Sequence, residues 1–270
     1  MRPQGRNSTL SKRIHILVPS YNRENDLLTL VDSLIRQTYE NWRLTVIDNC
    51  SDVDVAEFFQ DMKVVDCRIE VSRYDKTVSI IENWNRCFNH ITEGDSIIKF
   101  LWSDDYLEEK YLYEIVKKFE AGFQVVGSDI RYVSEKKDDM GLRKYTNTTP
   151  MIFNVIYRNL LGCPSSLAFD RRSLGGIKFD VNNRYCADLK FAISVIKSAG
   201  KSSHAHISDN LVNVKIQSGT ETDQFKFSSQ MFQDKSELAK WYLKEYRQIL
   251  AYPAFVIFKN ISNFLGRGKK

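Results

Sequence analysis

Along the first half of the chain, short apolar runs alternate with longer stretches in which apolar residues recur every three or four positions. Ile14-His-Ile-Leu-Val18, Leu44-Thr-Val-Ile47, Ile69 to Val71, Ile97 to Trp102 and Gln124 to Gly127 have the length and character of strands. Between them lie Leu27, Leu28, Val31, Leu34 and Ile35, then an amphipathic segment through Phe58 and Phe59. Val78, Ile81, Trp84 and Phe88 come next, and then Tyr111, Leu112, Ile115, Val116 and Phe119, all at helical spacing. Asn22 stands where it can help cap the first helix. Apolar strands alternating with helices predict an α/β fold, a Rossmann-like, mostly parallel sheet with helices on both faces.

Beyond about residue 130 the pattern loosens. Residues 134–150 are charged and polar and read as a surface loop, and a helix is expected over 151–161. Gly162-Cys-Pro-Ser-Ser166 leads to a strand-like Leu167-Ala-Phe169, and Gly175-Gly176 makes a turn. Ala187-Asp188-Leu189 opens a helix that ends at Gly200, and Leu211 to Ile216 alternates as a strand. The segment 225–265 reads as helical. In it Phe255, Phe258, Ile261 and Leu265 form an apolar stripe beside basic residues, interrupted at Pro253. That stripe suits either a helix lying at a membrane interface or one packed back on the domain. The expected organisation is a basic tail over 1–12, an α/β domain over 13–220 and a helical C-terminal extension over 221–270. The pattern divides the domain into two halves, about 13–129 and about 130–220.

Composition narrows the class. Hydrophobic residues make up 43% and aromatic residues 12% of the chain, enough for a large core without disulfide staples. The five cysteines show no Cys-x-x-Cys spacing, so they read as reduced thiols of a cytoplasmic protein rather than as a zinc site. Residues 1–13 lack the apolar segment of a signal peptide, and no apolar run is long enough to span a bilayer. The net charge of +5 is modest, but Arg2, Arg6, Lys12 and Arg13 at one end and Lys259, Arg267, Lys269 and Lys270 at the other are unopposed. Both ends can meet an anionic surface, either lipid, as at the inner face of a membrane, or polyanion, while residues 1–12 read first as a solvated tail. No nucleic-acid-binding signature accompanies them.

Candidate chemistry clusters where strands end. The polar sets Tyr21/Asn22, Asp48/Ser51/Asp52, Asp75/Lys76 and Asp104/Asp105 each come after a strand, and parallel strands bring such ends to one edge, where open α/β sheets bind ligands. Asp104 and Asp105 lie just past the apolar run Ile97 to Trp102. Two carboxylates there suit a hard divalent cation shared with substrate phosphates. Asp104 would equally serve as the N-cap of a helix beginning near Leu107.

These segments, in their order and spacing from about residue 14 to 217, resemble the family 2 glycosyltransferases of GT-A fold. Val18-Pro-Ser-Tyr-Asn-Arg23 resembles the family's opening motif, and Val46-Ile-Asp-Asn-Cys-Ser-Asp52 its second strand with the nucleotide-binding aspartate. Asn83-Trp-Asn-Arg-Cys-Phe88 resembles the segment before the metal strand, and Phe100-Leu-Trp-Ser-Asp-Asp105 its DxD-type motif. Gly175-Gly-Ile-Lys-Phe-Asp180 and Ala187-Asp-Leu-Lys-Phe191 resemble the stretch that delivers the catalytic base. The chain departs from the pattern at Trp102, where the family often has Asp, and at Ala187, where it commonly has Glu.

The resemblance implies an inverting, metal-dependent transfer from a nucleotide sugar, with UDP the default nucleotide. The acceptor would be a hydroxyl of a glycan or polyprenyl-linked glycan in surface polysaccharide synthesis. Asp188 would be the base. Pro19, Tyr21, Arg23, Asp48, Asp75, Asn83 and Asp104 would surround the donor nucleotide. Mg²⁺ or Mn²⁺ would sit on Asp105, with Asp104 as second ligand or near the ribose or a phosphate; residues 13–129 would form the nucleotide-binding half of the domain and 130–220 its acceptor half. A catalytically inactive binding protein of the same fold is the alternative, followed by a nucleotidyltransferase, whose Gly-rich phosphate loop the segment Pro19 to Arg23 does not supply.

Overall fold

The computed structural model of the chain describes residues 11–136, 138–143, 163–200, 203–216 and 228–246. The expected helix over 151–161 and the stripe over 255–265 lie outside them. Strands β1 (Ile14–Ser20), β2 (Trp42–Asp48), β3 (Ile69–Arg73) and β4 (Ile97–Phe100) are joined by crossovers through α1 (Glu24–Ile35), α2 (Val55–Asp61) and α3 (Ile80–Arg86). They pair in parallel in the order β3-β2-β1-β4, with Ser20 level with Asp48 and Asp48 level with Arg73.

Both faces of this half are covered, which is why its strands read as continuous apolar runs. Ile14, Ile16 and Val18 pack with Leu27, Leu30 and Leu34 of α1 and with α4 (Tyr111–Glu120) on one face. Leu17, Ile47, Ile98 and Phe100 pack with Ile81 of α3 and with Phe191 and Val195 of α5 (Ala187–Ala199) on the other. The expectation of helices on both faces holds.

The sheet becomes mixed beyond β4. After the short β5 (Tyr106–Leu107) and α4 come β6 (Val125–Val133), β7 (Asp139–Arg143), β8 (Leu167–Asp170) and β9 (His204–Lys215). The order continues β4-β8-β6-β9-β5, with β7 on β6. Here β8 is antiparallel to both its neighbours, and β9 is parallel to β6. Two successive antiparallel pairings restore direction, so β6 and β9 end at the same edge as β1, β2 and β4. That edge carries the site.

Two local expectations resolve differently. The helix after Asp105 begins only at Tyr111, with Lys110 at its N-cap position, because Tyr106 and Leu107 pair as a strand with Asn213 and Val212. Asp104 therefore caps nothing. Asn22 does not cap α1 either, whose N-cap is Arg23. It takes the left-handed conformation (φ 51°) that Asn tolerates and exchanges hydrogen bonds with Asp52.

Behind α5 lies α6 (Ser229–Tyr246), whose Met231, Phe232, Leu238, Ala239 and Tyr242 form a separate core with Leu189 and Ile193. This part of the expected C-terminal helix packs back onto the domain.

Candidate active site

The first wall of the site is a pair of interlocked turns. After β1, the Asn22 amide donates to Ser51 Oγ at 2.9 Å, and the Asn22 and Asp52 side chains and backbone exchange hydrogen bonds. Asp48 ends β2 with no exposed surface. Its Oδ1 accepts from the amide (3.1 Å) and hydroxyl (2.5 Å) of Ser51, and its Oδ2 accepts from Arg73 Nη1 at 2.7 Å. Arg73 also donates to the carbonyls of Ser51 and Val53, so it fastens the β2 turn from β3. Asn49 exchanges hydrogen bonds with the backbone of Val78 and accepts from Arg86, whose guanidinium lies 4.0 Å over the Tyr74 ring. Pro19 is buried in β1, Tyr21 is half-exposed, and Arg23 lies 3.5 Å from Asp26.

Asn83 reaches the same edge from α3. Its amide donates to the Ile47 carbonyl at 3.3 Å, while its Oδ1 is buried without a partner. Asp75 is exposed, and no hydrogen bond links its side chain to these turns.

The second wall succeeds β4. The Asp105 amide donates to the Trp102 carbonyl, closing a tight turn that separates the two carboxylates. Asp104 remains part-exposed, whereas Asp105 is 2% exposed, with Oδ1 accepting from the Lys215 amide at 3.2 Å and Oδ2 buried and unpaired. Burial, and then the neighbouring Asp104 charge, push the Asp105 carboxyl well above the usual carboxylate range. Burial also raises Asp104, against the nearby positive charges of Arg23 and Lys215.

Lys99, fully buried in β4, donates to the carbonyls of Pro164, Ser165 and Leu167, one acceptor for each N–H of an ammonium. It thereby fixes the segment that enters β8. Beside Asp104, a cavity of about 240 Å³ is lined by Asn25, Asp26, Thr29, Tyr106 and Lys215 among others. Within it the Lys215 ammonium lies 2.6 Å from Asp26.

The third wall is the start of α5. Asp188 lies in its first turn, part-exposed, accepting from the Leu189 amide at 2.7 Å. Burial pushes its carboxyl up to about 6, within reach of a general base at neutral pH. Cys163 connects this wall to the second: burial, then the charge of Asp105 and, more weakly, that of Asp188 raise its thiol to about 12, against the nearby charge of Lys99.

The structure thus gathers Tyr21, Arg23, Asp48, Asn83, Asp104, Asp105 and Asp188 at one edge and leaves Asp75 on its rim. Trp102, standing where the resembled motif often has Asp, stacks on Trp84 with ring centroids 4.4 Å apart and planes 20° apart. Arg73, Asp26 and Lys215 carry no motif, and sequence reasoning misses them. Arg73 has one signal, a basic residue ending the strand beside Asp48.

The donor set suits a cation only in part. Among the described residues no three His, Cys, Asp or Glu side chains converge as a self-sufficient metal site. Asp104, a part-exposed carboxylate whose charge burial disfavours, does fit a cation completed by phosphate oxygens.

Residues 15–175 match the model of the family described as glycosyl transferase family 2. TuaG of Bacillus subtilis, a glycosyltransferase named for teichuronic acid biosynthesis, is 23% identical over 189 residues, which are 68% of this chain and 72% of TuaG. The glycosyltransferase GlyA of Streptococcus pneumoniae is 31% identical over 110 residues, 39% of this chain but 15% of GlyA. Among solved structures, residues 1–349 of S. aureus TarS in complex with UDP-GlcNAc superpose with a TM-score of 0.69 at 17% identity. That match covers 86% of this chain and 66% of the TarS fragment. The mannosyltransferase PcManGT of Pyrobaculum calidifontis, in complex with GDP-Man and Mn²⁺, gives 0.58 at 12% identity, covering 94% and 70%. At these identities the structural likeness establishes the GT-A fold. The chain spans less than two thirds of GlyA and about two thirds of the TarS fragment.

Proposed function

The chain belongs to glycosyl transferase family 2, and on that premise we propose that it is an inverting glycosyltransferase that moves a sugar from a nucleotide-sugar donor to a glycan hydroxyl. The observation that carries this reading is the meeting, at one sheet edge, of the Asn22–Ser51–Asp48–Arg73 turns, the part-exposed Asp104 and the helix-borne Asp188. UDP-sugars are the favoured donors, supported by the UDP-GlcNAc complex of TarS. Surface polysaccharide or a polyprenyl-linked precursor is the favoured acceptor, supported by the name of TuaG.

In this reading the nucleotide lies against the interlocked turns. Tyr21 offers its half-exposed ring to the base, with Pro19 and Arg23 beside it. Asp48 contacts the base only if Arg73 shares the carboxylate; a carboxylate has about four acceptor sites, and Ser51 and Arg73 leave one spare. The unpaired Oδ1 of Asn83 is a second acceptor at this edge, and Asp75 would join from the rim.

The exposures favour Asp104, expected from sequence near the ribose or a phosphate, as the residue facing the diphosphate, and favour it over Asp105, the ligand preferred from sequence, for holding the cation. Asp105 is turned inward and anchored to Lys215. A divalent cation, Mg²⁺ or Mn²⁺, held by Asp104 and the diphosphate oxygens, would supply Lewis-acid neutralisation of the leaving group. Asp188 takes the acceptor proton as the acceptor oxygen attacks the anomeric carbon from the face opposite the leaving diphosphate, and that direct displacement inverts the centre.

Release of nucleoside diphosphate from UDP-GlcNAc and GDP-mannose, with water as acceptor, tests the reading. Slow release that drops on Asp104→Asn and on Asp188→Asn is expected. Equal release by wild type and both variants would overturn the assignment of these residues.

A further inference from the structure

The loop that leads into α5 is tied to α6 through one buried carboxylate. Asp234 has no exposed surface; its Oδ2 accepts from the Tyr185 amide at 2.6 Å, its Oδ1 from Gln230 Nε2 at 2.7 Å, and its carbonyl from Asn183 Nδ2 at 3.0 Å. Asn183, itself buried, uses its Oδ1 to accept from the Cys186 amide. Cys186 occupies the N-cap position of α5 with no side-chain capping bond, so this end lacks the usual local cap. The start of the helix is held instead from another element. Asp188 stands two residues beyond that N-cap.

We propose that Asp234 is a positioning residue, fixing from α6 the backbone entry of α5 and thereby the place of Asp188 at the carboxyl edge. This deepens the reading of Asp188 as base and rests on it. Apolar packing supplies the hinge of the clamp: Leu189 and Ile193 of α5 pack with Met231, Phe232, Leu238 and Tyr242 of α6. Lys190, paired with Asp180, lies 5.3 Å over the Trp241 ring and adds a polar stitch one turn on. The titratable groups facing this corner are Tyr185 and Cys186 of the loop, Cys163 from the segment before β8, and Lys235 of α6 beside Cys186. The C-terminal helix is, on this account, part of the catalytic scaffold.

The test compares Asp234→Ala, Asp234→Asn and Asn183→Ala in the full chain. Asn at 234 keeps an oxygen for the Tyr185 amide, and a flipped Gln230 can accept from its new N–H₂, so it is the conservative rescue. Each variant is first shown to melt cooperatively. Hydrogen exchange of the Tyr185, Cys186 and Leu189 amides and the carboxyl titration of ¹³C-labelled Asp188 are then tracked by NMR. The rate of UDP release from UDP-GlcNAc is measured across pH.

For Asp234→Ala and Asn183→Ala we expect exchange at least about tenfold faster. The Asp188 titration should fall from about 6 toward the ordinary carboxylate range, with release slowed about ten- to a hundredfold. Asp234→Asn should stay near wild type. Should Asp234→Ala fail to fold, Asn183→Ala carries the comparison alone. Wild-type exchange and an unmoved Asp188 titration in the folded variants would overturn the clamp. Wild-type turnover by Asp188→Asn, with the exchange and titration effects intact, would instead overturn the base reading and leave the clamp standing.

Discussion

At the scale of residues, the proposed function rests on carboxylates held in unlike environments. Asp188 is pushed up by burial to about 6, so it is protonated and unable to act as base below that pH. Turnover is therefore expected to fall as pH drops through about 6, and Asp188→Asn to lower kcat by about 10²–10⁴ with nucleotide affinity unchanged. A pH–rate profile of both proteins checks this. Asp48 is a buried carboxylate held in place by hydrogen bonds from Ser51 and Arg73. Arg73→Ala strips one of them and should destabilise the fold by about 1.5–3 kcal/mol, read as a shift in urea midpoint. Asp104, Asp105 and Asp188 are visible in the sequence because each stands at a pattern boundary, where an apolar run stops or a helix begins. Arg73, Lys215 and Asp234 are not, since each acts on a partner that the fold, and not the chain, brings near.

At the scale of elements, the strands of the parallel half are pinned at the edge opposite the site. There Asp95 accepts from Arg43 at 2.7 and 2.9 Å and from the Thr92 amide, and meets His15, whose other ring nitrogen bonds Thr45. Burial opposes ionisation of Asp95, but the bonds from His15, Arg43 and Thr92 outweigh it and hold the carboxyl well below the usual range. A depressed carboxylate contributes stability that is present above its unfolded pKa, about 3.9, and lost as pH falls through the folded value. Asp95→Asn is accordingly expected to be less stable than wild type at pH 7 and pH 5, with the gap closing only below about pH 4. Urea midpoints at pH 7, 5 and 3 decide it. The first three strands and α1, α3 and α4 are legible because a period of 3.6 or an unbroken apolar run marks each. β5 is not, because Tyr106 and Leu107 are strand only by virtue of Asn213 and Val212 far along the chain. The capping box of α3, Ser79 with Glu82, closes that helix's N-terminus with a pair of residues only three positions apart.

At the scale of the molecule, the apolar pattern foretells the parallel sheet as far as β4 but not the mixed pairing of β5 to β9. A strand's direction in the second half is set by partners that no local pattern names, so antiparallel β8 could not be read from Leu167-Ala-Phe169 alone. The C-terminal helix shows the same division. Ser229–Tyr246 packs on α5, which no periodicity could assign to a particular neighbour, while the stripe over 255–265, outside the described residues, keeps both of its expectations, an interfacial helix or one packed back on the domain. Truncation after Tyr252 is expected to leave folding and nucleotide binding intact and to abolish co-sedimentation with anionic vesicles; retained co-sedimentation would remove the membrane reading. The central claim is that one sheet edge binds a nucleoside diphosphate and a cation together through Asp104. Calorimetric titration of UDP, GDP, dTDP and CDP, each with and without Mn²⁺, on wild type and Asp104→Asn addresses it directly. Tight binding of one nucleotide that requires both Mn²⁺ and Asp104 is the expected result; binding of none, or binding indifferent to both, would contradict it.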